Sequence, residues 1–194
     1  WIYDGLEHSL PTVHGTEGFY KRDGMVATAE TTVKNAGDNK TNTIEVSGIG
    51  IGNYTITKDE GNLSIKPVGE VKVTIQENTG VYEYNGEEQT VKGYKVVSIT
   101  IDGKTTALYT ESDFEFVGNE ASKTSAGTNV GTYDMDLQEA NFNNKNNNFA
   151  EVTFVILNGQ LEITPKPVTL STDTDSWIYD GLEHSLPTVH GTEG

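Results

Sequence analysis

Histidines are the residues of this sequence whose spacing could bind a transition metal. They are His8, His14, His184 and His190. The even spacing within each pair could place both imidazoles on one face of a strand, where they can bind zinc or a similar ion. Pro11 lies between the first two, and the sequence has no cysteine to complete a ligand set. The pattern therefore favours polar surface histidines, and we predict no metal site.

Paired carboxylates are a second candidate. The pairs Asp134/Asp136 and Asp173/Asp175 could bind calcium between domains, but calcium takes about six to eight oxygen ligands and no EF-hand loop or Gly-Gly-x-Gly-x-Asp repeat is present. The 29 acidic residues could also supply a pair for glycoside hydrolysis. There is no Gly-x-Ser-x-Gly elbow, phosphate-binding loop, dinucleotide fingerprint or cysteine nucleophile. We predict that the chain is not an enzyme and binds no cofactor.

An asparagine-rich stretch, NFNNKNNNF, spans residues 141–149. Its composition is typical of a solvated loop. Asparagine amides beside aromatic rings can also hold sugars, by hydrogen bonds to hydroxyls and by stacking. Asn141, Phe142, Asn148 and Phe149 are therefore the candidate glycan contacts.

The first stretch of the chain recurs at its far end. Residues 1–18, WIYDGLEHSLPTVHGTEG, reappear unchanged as residues 177–194. An identity of this length indicates one period copied from a longer array, so that Trp177 repeats Trp1.

A second, weaker repeat lies inside the first. Residues 168–185 (VTLSTDTDSWIYDGLEHS) align without a gap with residues 73–90 (VTIQENTGVYEYNGEEQT). Two further matches are GNLSIKP (61–67) with GQLEITP (159–165), and NAGDN (35–39) with SAGTN (125–129). Each period therefore holds two diverged copies of one domain type.

Apolar and polar residues alternate along much of the chain. Examples are Val97, Ile99 and Ile101; Tyr133, Met135 and Leu137; and Tyr54 and Ile56. A period of two is typical of half-buried strands. The stretch VTFVIL, residues 152–157, is apolar on nearly both faces and is predicted to be a central strand. We predict an all-β protein.

The net charge of −16 limits the possible partners. Nucleic acids and anionic membranes are bound through basic patches, so we predict contact with neither. The negative charge also keeps copies of the chain soluble and apart.

The repeats predict three segments. Residues 1–67 form a first repeat that lacks its first strand, residues 68–167 a second repeat, and residues 168–194 the start of the next copy. Proline at positions 67, 165 and 167 predicts stiff links between them. We expect residues 168–194 to pair head to tail with residues 19–67 of an adjacent copy.

Three short motifs predict turns. Asp or Asn followed by Gly favours a type I′ hairpin turn, and the preceding Tyr is expected to pack at the strand end. The motifs are Tyr3-Asp4-Gly5, Tyr84-Asn85-Gly86 and Tyr179-Asp180-Gly181.

The order of these motifs resembles a known family. Tyr84-Asn85-Gly86, then Ala126 to Tyr133, Asn148-Phe149 and Gly159 to Pro165 follow one another as in the MBG-type (YGX-type), Ig-like repeats of bacterial surface proteins. Residues 1–67 supply Tyr3-Asp4-Gly5 and Gly61 to Pro67, with a shorter middle that lacks the Gly-Thr-Tyr triplet.

The resemblance implies fold and function together. It implies two tandem Ig-like β-sandwich modules in an elongated arrangement, within a secreted, cell-wall-attached bacterial adhesin. The expected role is a structural stalk or spacer that projects a distal adhesive domain, with adjacent copies as partners. The alternative is a multivalent binding module for mucin or other host glycans.

Overall fold

The computed structural model describes residues 1–191, which form an all-β structure with no α-helix. Strands in residues 1–67 are β1 His8–Ser9, β2 Val26–Ala29, β3 Thr32–Val33, β4 Asn39–Thr41, β5 Ile44–Ser47 and β6 Asn62–Ser64. Those in 68–167 are β7 Val71–Glu77, β8 Gly80–Glu83, β9 Gln89–Lys92, β10 Tyr94–Ile101, β11 Lys104–Thr105, β12 Phe114–Phe116, β13 Thr124–Gly127, β14 Gly131–Asp134, β15 Phe142–Asn144, β16 Val152–Leu157 and β17 Gln160–Thr164. The last two are β18 Ser171–Thr172 and β19 Val189–His190. Short 3-10 turns span Thr16–Gly18, Lys21–Asp23, Ile51–Asn53, Glu111–Asp113, Ala121–Lys123 and Glu139–Asn141.

Strand β7 is the centre of the largest sheet, which has the order β11-β10-β7-β16. Val71, Val73 and Ile75 alternate along it and are each 0% exposed. The prediction that residues 152–157 form a central strand is wrong, because β16 lies at the edge of this sheet. Val152, Phe154 and Ile156 pack into the core, whereas Leu157 is 40% exposed. Hydrophobicity reports burial rather than position within a sheet.

The consecutive strands β7 and β8 run parallel to the consecutive strands β16 and β17 within residues 68–167. Strand β16 runs parallel to β7, from Val152 beside Val71 to Leu157 beside Gln76. Beyond this point β17 runs parallel to β8 in a second sheet of order β14-β17-β8. The two sheets, with the pairs β9–β13 and β12–β15, are consistent with a β-sandwich.

The core of this segment is aromatic. Tyr109, Phe114, Phe142, Phe149 and Phe154 pack with the β7 side chains in one cluster. A smaller cluster contains Val91, Met135, Leu161 and Ile163. Burial of rings of this size supplies much of the favourable free energy of such a domain.

Strand β10 does not keep the alternation predicted for Val97, Ile99 and Ile101. The register with β7 shifts between Val96 and Ser98, which is a β-bulge. Val97 is therefore exposed, while Val96 and Ile99 pack against the core. An extra residue in one strand changes which side chains share a face.

Residues 1–67 repeat part of this pattern with fewer strands. Strands β1–β3, β2–β5 and β4–β6 pair antiparallel, as do β9–β13, β12–β15 and β14–β17 in the next segment. Ile2 forms a parallel bridge with Lys66. Glu83 and Thr164 are the corresponding parallel pair in the next segment. The small core of residues 1–67 contains Val33, Leu63 and Ile65, with Tyr3 packed against it.

The predicted match of residues 35–39 with residues 125–129 is wrong. Ser125 and Gly127 lie in β13, whereas Ala36 and Gly37 form the turn between β3 and β4. Gln89 pairs with Gly127. His8, which aligns with Gln89 when Tyr3 is aligned with Tyr84, pairs with Val33. Val33 therefore corresponds to Gly127. A shared Ala-Gly dipeptide was not enough to fix the alignment.

Residues 168–191 form a separate and exposed segment. Among the residues that the structure describes, its strands β18 and β19 pair only with each other. The predicted start of a further copy extends to residue 194, and residues 192–194 lie outside the part that the structure describes. No helix among the described residues is long and apolar enough to cross a membrane.

Candidate functional site

The three Tyr-[Asp/Asn]-Gly motifs adopt the same local structure. Leu6 donates its backbone N–H to Asp4 Oδ1 at 2.9 Å. Glu87 and Leu182 make the equivalent bonds to Asn85 and Asp180. The glycine between donor and acceptor has a φ of 81° at Gly5, 82° at Gly86 and 79° at Gly181. This geometry is an Asx turn, which the short polar side chain closes by itself.

The predicted type I′ hairpin is therefore wrong. That turn needs positive φ at both central residues, and among the described non-glycine residues only Asp102 has one. The flanking strands also do not pair with each other, because β8 pairs with β17 and β9 with β13. The motif connects a strand of one sheet with a strand of another.

The repeated segment WIYDGLEH makes the same local side-chain contacts in its two copies. Trp1 stacks on His8 and Trp177 on His184, each with ring centroids 4.9 Å apart. His8 Nε2 lies 2.9 Å from Asp4 Oδ1, and this hydrogen bond lowers the pKa of the Asp4 carboxyl, helped by the Leu6 N–H. In the second copy the Leu182 N–H and then His184 lower the pKa of Asp180.

The prediction of a glycan site at residues 141–149 is wrong for its two rings. Phe142 is 6% and Phe149 2% exposed, because both belong to the core cluster. Neither offers a face on which a sugar could stack. Asn141 Oδ1 accepts a hydrogen bond from the Gln138 N–H, so its carbonyl is engaged in closing a turn.

Asn148 and Phe149 instead contact the first segment. Asn148 Oδ1 accepts a 2.8 Å hydrogen bond from the Ala36 N–H. The Tyr3 ring packs edge-on against Phe149, and Tyr3 also contacts the small core of its own segment. Together these contacts join residues 1–67 to residues 68–167, and the Tyr of the first turn motif is their centre.

The histidines and acidic pairs do not assemble into a cation site. Among residues 1–191, no three His, Asp or Glu side chains converge as a metal-binding group. Asp136 accepts a bond from Gln138, and Asp173 lies 2.8 Å from His190. Each of these two carboxylates is therefore engaged by a single side chain rather than by a set of ligands.

A buried carboxylate joins three parts of the second segment. Glu77 is 2% exposed and lies at the end of β7. Its Oε1 accepts the Leu137 N–H at 3.0 Å and its Oε2 the Gly159 N–H at 2.7 Å. A buried carboxylate is stable only when such donors satisfy its oxygens. Nothing in the sequence distinguishes Glu77 from the other acidic residues, so its burial could not be predicted.

An open groove lies in the first segment. Residues 13–19 form one wall, residues 54–58 the other, and Ala27, Ile44 and Val46 the floor. The groove has a volume of about 310 Å³. The Tyr54 hydroxyl donates to Asp23 Oδ2 at 2.6 Å, which fixes one end of the second wall and raises the pKa of Tyr54.

Part of each groove wall carries unpaired backbone. Within residues 1–191, neither residues 11–14 nor residues 55–59 make a backbone–backbone hydrogen bond. Exposed edges of this kind are templates for an added strand. Tyr54 and Ile56 were predicted to alternate along a strand; both are half-buried, but they lie outside any strand.

Two corresponding glycines have different surroundings. A Cβ on Gly159 would overlap the carbonyl oxygens of Asn78 and Glu77. Gly61 has the same place in the GNLSIKP/GQLEITP match, and a Cβ there would meet nothing within 4 Å. The strand end against which Gly159 packs has no counterpart beside Gly61.

Comparison with known families agrees with the strand pattern. The MBG domain profile matches residues 69–165. The chain belongs to the MBG domain family. No curated protein and no solved structure matches it. The matched range contains all strands from β7 to β17, and MBG membership indicates a repeat of a surface protein.

Proposed function

We propose that this chain is a stalk segment of a secreted bacterial adhesin attached to the cell wall. Residues 1–67 and 68–167 are two MBG modules in tandem, and they act as non-catalytic spacers outside the cell. The array holds a distal adhesive domain away from the surface, in an elongated arrangement.

The observation that carries this proposal is the junction between the two segments. Tyr3 donates its backbone N–H to Lys66 O at 2.9 Å, as Tyr84 does to Thr164 O. Both segments therefore bring the turn motif beside their last strand, immediately before the proline-containing link. The Tyr3 ring then contacts Phe149, so the link is supported by packing. Repeats that contact only their neighbours extend in one direction.

Small-angle scattering on chains with one, two and four copies of the repeat tests the spacer. The maximum dimension should grow in proportion to copy number. A matched chain with Pro67, Pro165 and Pro167 replaced by glycine should give a broader distance distribution at the same copy number. A maximum dimension that does not increase with copy number would contradict the proposal.

The alternative is multivalent binding to mucin or other host glycans. The buried Phe142 and Phe149 rings argue against the predicted contact region. A mucin pull-down with one and four copies separates the two functions, since avidity raises retention steeply with copy number. A spacer gives no retention at any copy number.

A further inference from the structure

Residues 168–173 align with part of β7, a strand that is buried in the second segment. Val168 and Leu170 align with Val73 and Ile75 of β7. The β7 residues are 0% exposed, whereas Val168 is 63% and Leu170 59% exposed. Leaving two such side chains in water forgoes the free energy of burying them.

The groove lies where β7 would be. Aligning Tyr3 with Tyr84 places residues 13–20 on β10, and aligning Gly61 with Gly159 places residues 54–59 on β16. In the second segment β7 lies between β10 and β16. The groove of the first segment lies between the two corresponding stretches.

The exposed tail already shows how the strand pairs with one wall. Thr172 lies opposite Val189 and Ser171 opposite His190. Residues 189–190 repeat residues 13–14. The same register relates β7 to β10, where Glu77 lies opposite Tyr94 and Gln76 opposite Lys95.

A side-chain contact supports the same register. Asp173 lies 2.8 Å from His190, which repeats His14 of the groove wall. A strand inserted in this register would place Asp173 beside His14. The inserted strand would replace its pairing with residues 189–190 by pairing with the identical residues 13–14 of the second copy. It would also bury the side chains of Val168 and Leu170, which adds favourable free energy.

We propose that residues 168–173 of one chain insert into this groove of a second copy, between residues 13–19 and residues 54–59. Thr172 then lies opposite Val13, and Val168 lies beside Ile56. The inserted strand end packs on Gly61, as the end of β7 packs on Gly159. This inference goes beyond the spacer role and does not depend on it.

Light scattering after size exclusion, as a function of protein concentration, tests the association. Physiological salt screens the repulsion between chains of net charge −16. We expect the 194-residue chain to form dimers and longer species as concentration rises. Leu170→Asp should lower the association constant roughly tenfold or more, since it removes a buried leucine. Ile178→Asp, a change in the same exposed tail outside the strand, should leave association unchanged.

Gly61→Ala tests the acceptor side without disturbing the single chain. The added methyl group has open space in the structure, so the melting temperature at low concentration should stay the same. It would meet the carbonyl groups of the inserted strand, so association should be lost. Gly52→Ala, which also has nothing within 4 Å, should associate normally.

Disulfide trapping tests the register, because the sequence has no cysteine of its own. A Thr172→Cys chain mixed with a Val13→Cys chain should give a mixed disulfide in a thiol-exchange buffer. A mixture of Thr172→Cys with Glu17→Cys, which is out of register, should give much less. Thr172→Cys with Val189→Cys in one chain should close internally.

Three outcomes would overturn the proposal. One is a chain that remains monomeric at millimolar concentration, which includes the case in which its own tail fills the groove. Another is association that Leu170→Asp and Gly61→Ala leave unchanged. The third is equal trapping by Val13→Cys and Glu17→Cys. A failure of linear growth in the multi-copy scattering experiment would instead contradict the spacer role and leave these three tests intact.

Discussion

Tyr3 packs edge-on against Phe149, with 5.5 Å between the ring centroids. This contact crosses from the first segment to the second, and Tyr3 also contacts the core of Val33, Leu63 and Ile65. One side chain therefore couples a small core to a larger one.

Replacing Tyr3 with alanine should destabilise the first segment. We expect a loss of about 2 kcal/mol in the free energy of unfolding, because a half-buried ring is removed from two clusters. Thermal unfolding followed by near-ultraviolet circular dichroism measures it. The control is Tyr179→Ala, the same residue in the second copy of the motif, which is 95% exposed and should change stability by less than about 0.5 kcal/mol. Equal effects of the two substitutions would contradict the coupling.

Glu77→Ala should be among the most destabilising substitutions in the chain. It leaves the N–H groups of Leu137 and Gly159 buried without acceptors. Each such group costs about 1–3 kcal/mol, so we expect a loss of about 3 kcal/mol in the free energy of unfolding by urea. Glu162→Ala, an exposed change in β17, is the matched control. A loss below about 1 kcal/mol would show that water replaces the carboxylate.

The two corresponding glycines should respond differently to alanine. Gly159→Ala forces a methyl group against backbone carbonyls of Glu77 and Asn78, which cannot move without disturbing β7. We expect a loss of roughly 2–3 kcal/mol, as for overpacking in a core. The matched change Gly61→Ala should be nearly neutral in the isolated chain, by the same denaturation measurement. Similar losses at both positions would mean that the two glycines share an unrecognised role.

The stability of the second segment should fall at alkaline pH through Tyr109. Burial, with the nearby Asp113 carboxylate, raises the pKa of Tyr109 to about 12. The folded pKa lies above the unfolded value of 10.0, so the contribution of the protonated phenol is complete below pH 10.0 and is lost as pH rises through about 12. Phenolate absorbance should show a last titration step from Tyr109, after the steps of Tyr54 and Tyr94, whose pKa values are also raised. Tyr109→Phe should abolish that late step, and its persistence would exclude Tyr109 as the source.

Acid should weaken the first turn motif. The folded pKa of Asp4 is lowered by its bond to His8 and then by the Leu6 N–H. A lowered pKa means that the stabilisation is present above the unfolded value of 3.8 and is lost as pH falls through the folded pKa. Carboxyl chemical shifts between pH 2 and 5 measure the titration. His8→Ala should move the Asp4 midpoint upward, whereas Glu7→Ala, a change of an exposed neighbour, should not.

Local patterns predicted strand content and the end of each repeat well. Leu63, Ile65, Leu161 and Ile163 are all buried, as the alternation in GNLSIKP and GQLEITP requires. These features depend on neighbours in sequence, and a period of two captures them.

Features that depend on distant partners were missed. Phe142 and Phe149 lie in a polar stretch, and only packing against residues far along the chain shows that they are buried. The bulge at Val97 depends on register with β7. The groove has no local pattern either, because it is defined by walls from residues 13–19 and 54–58.

The parallel course of β7–β8 and β16–β17 has a mechanical consequence. Tension on a tethered array would enter a module at Val71 and leave it at Thr164, which lie at opposite ends of these paired strands. The load would then act along the strands and shear six rungs between β7 and β16 and four between β8 and β17 at once. A hairpin pulled open from one end breaks its bonds one at a time, so this arrangement should resist a much larger force before it yields.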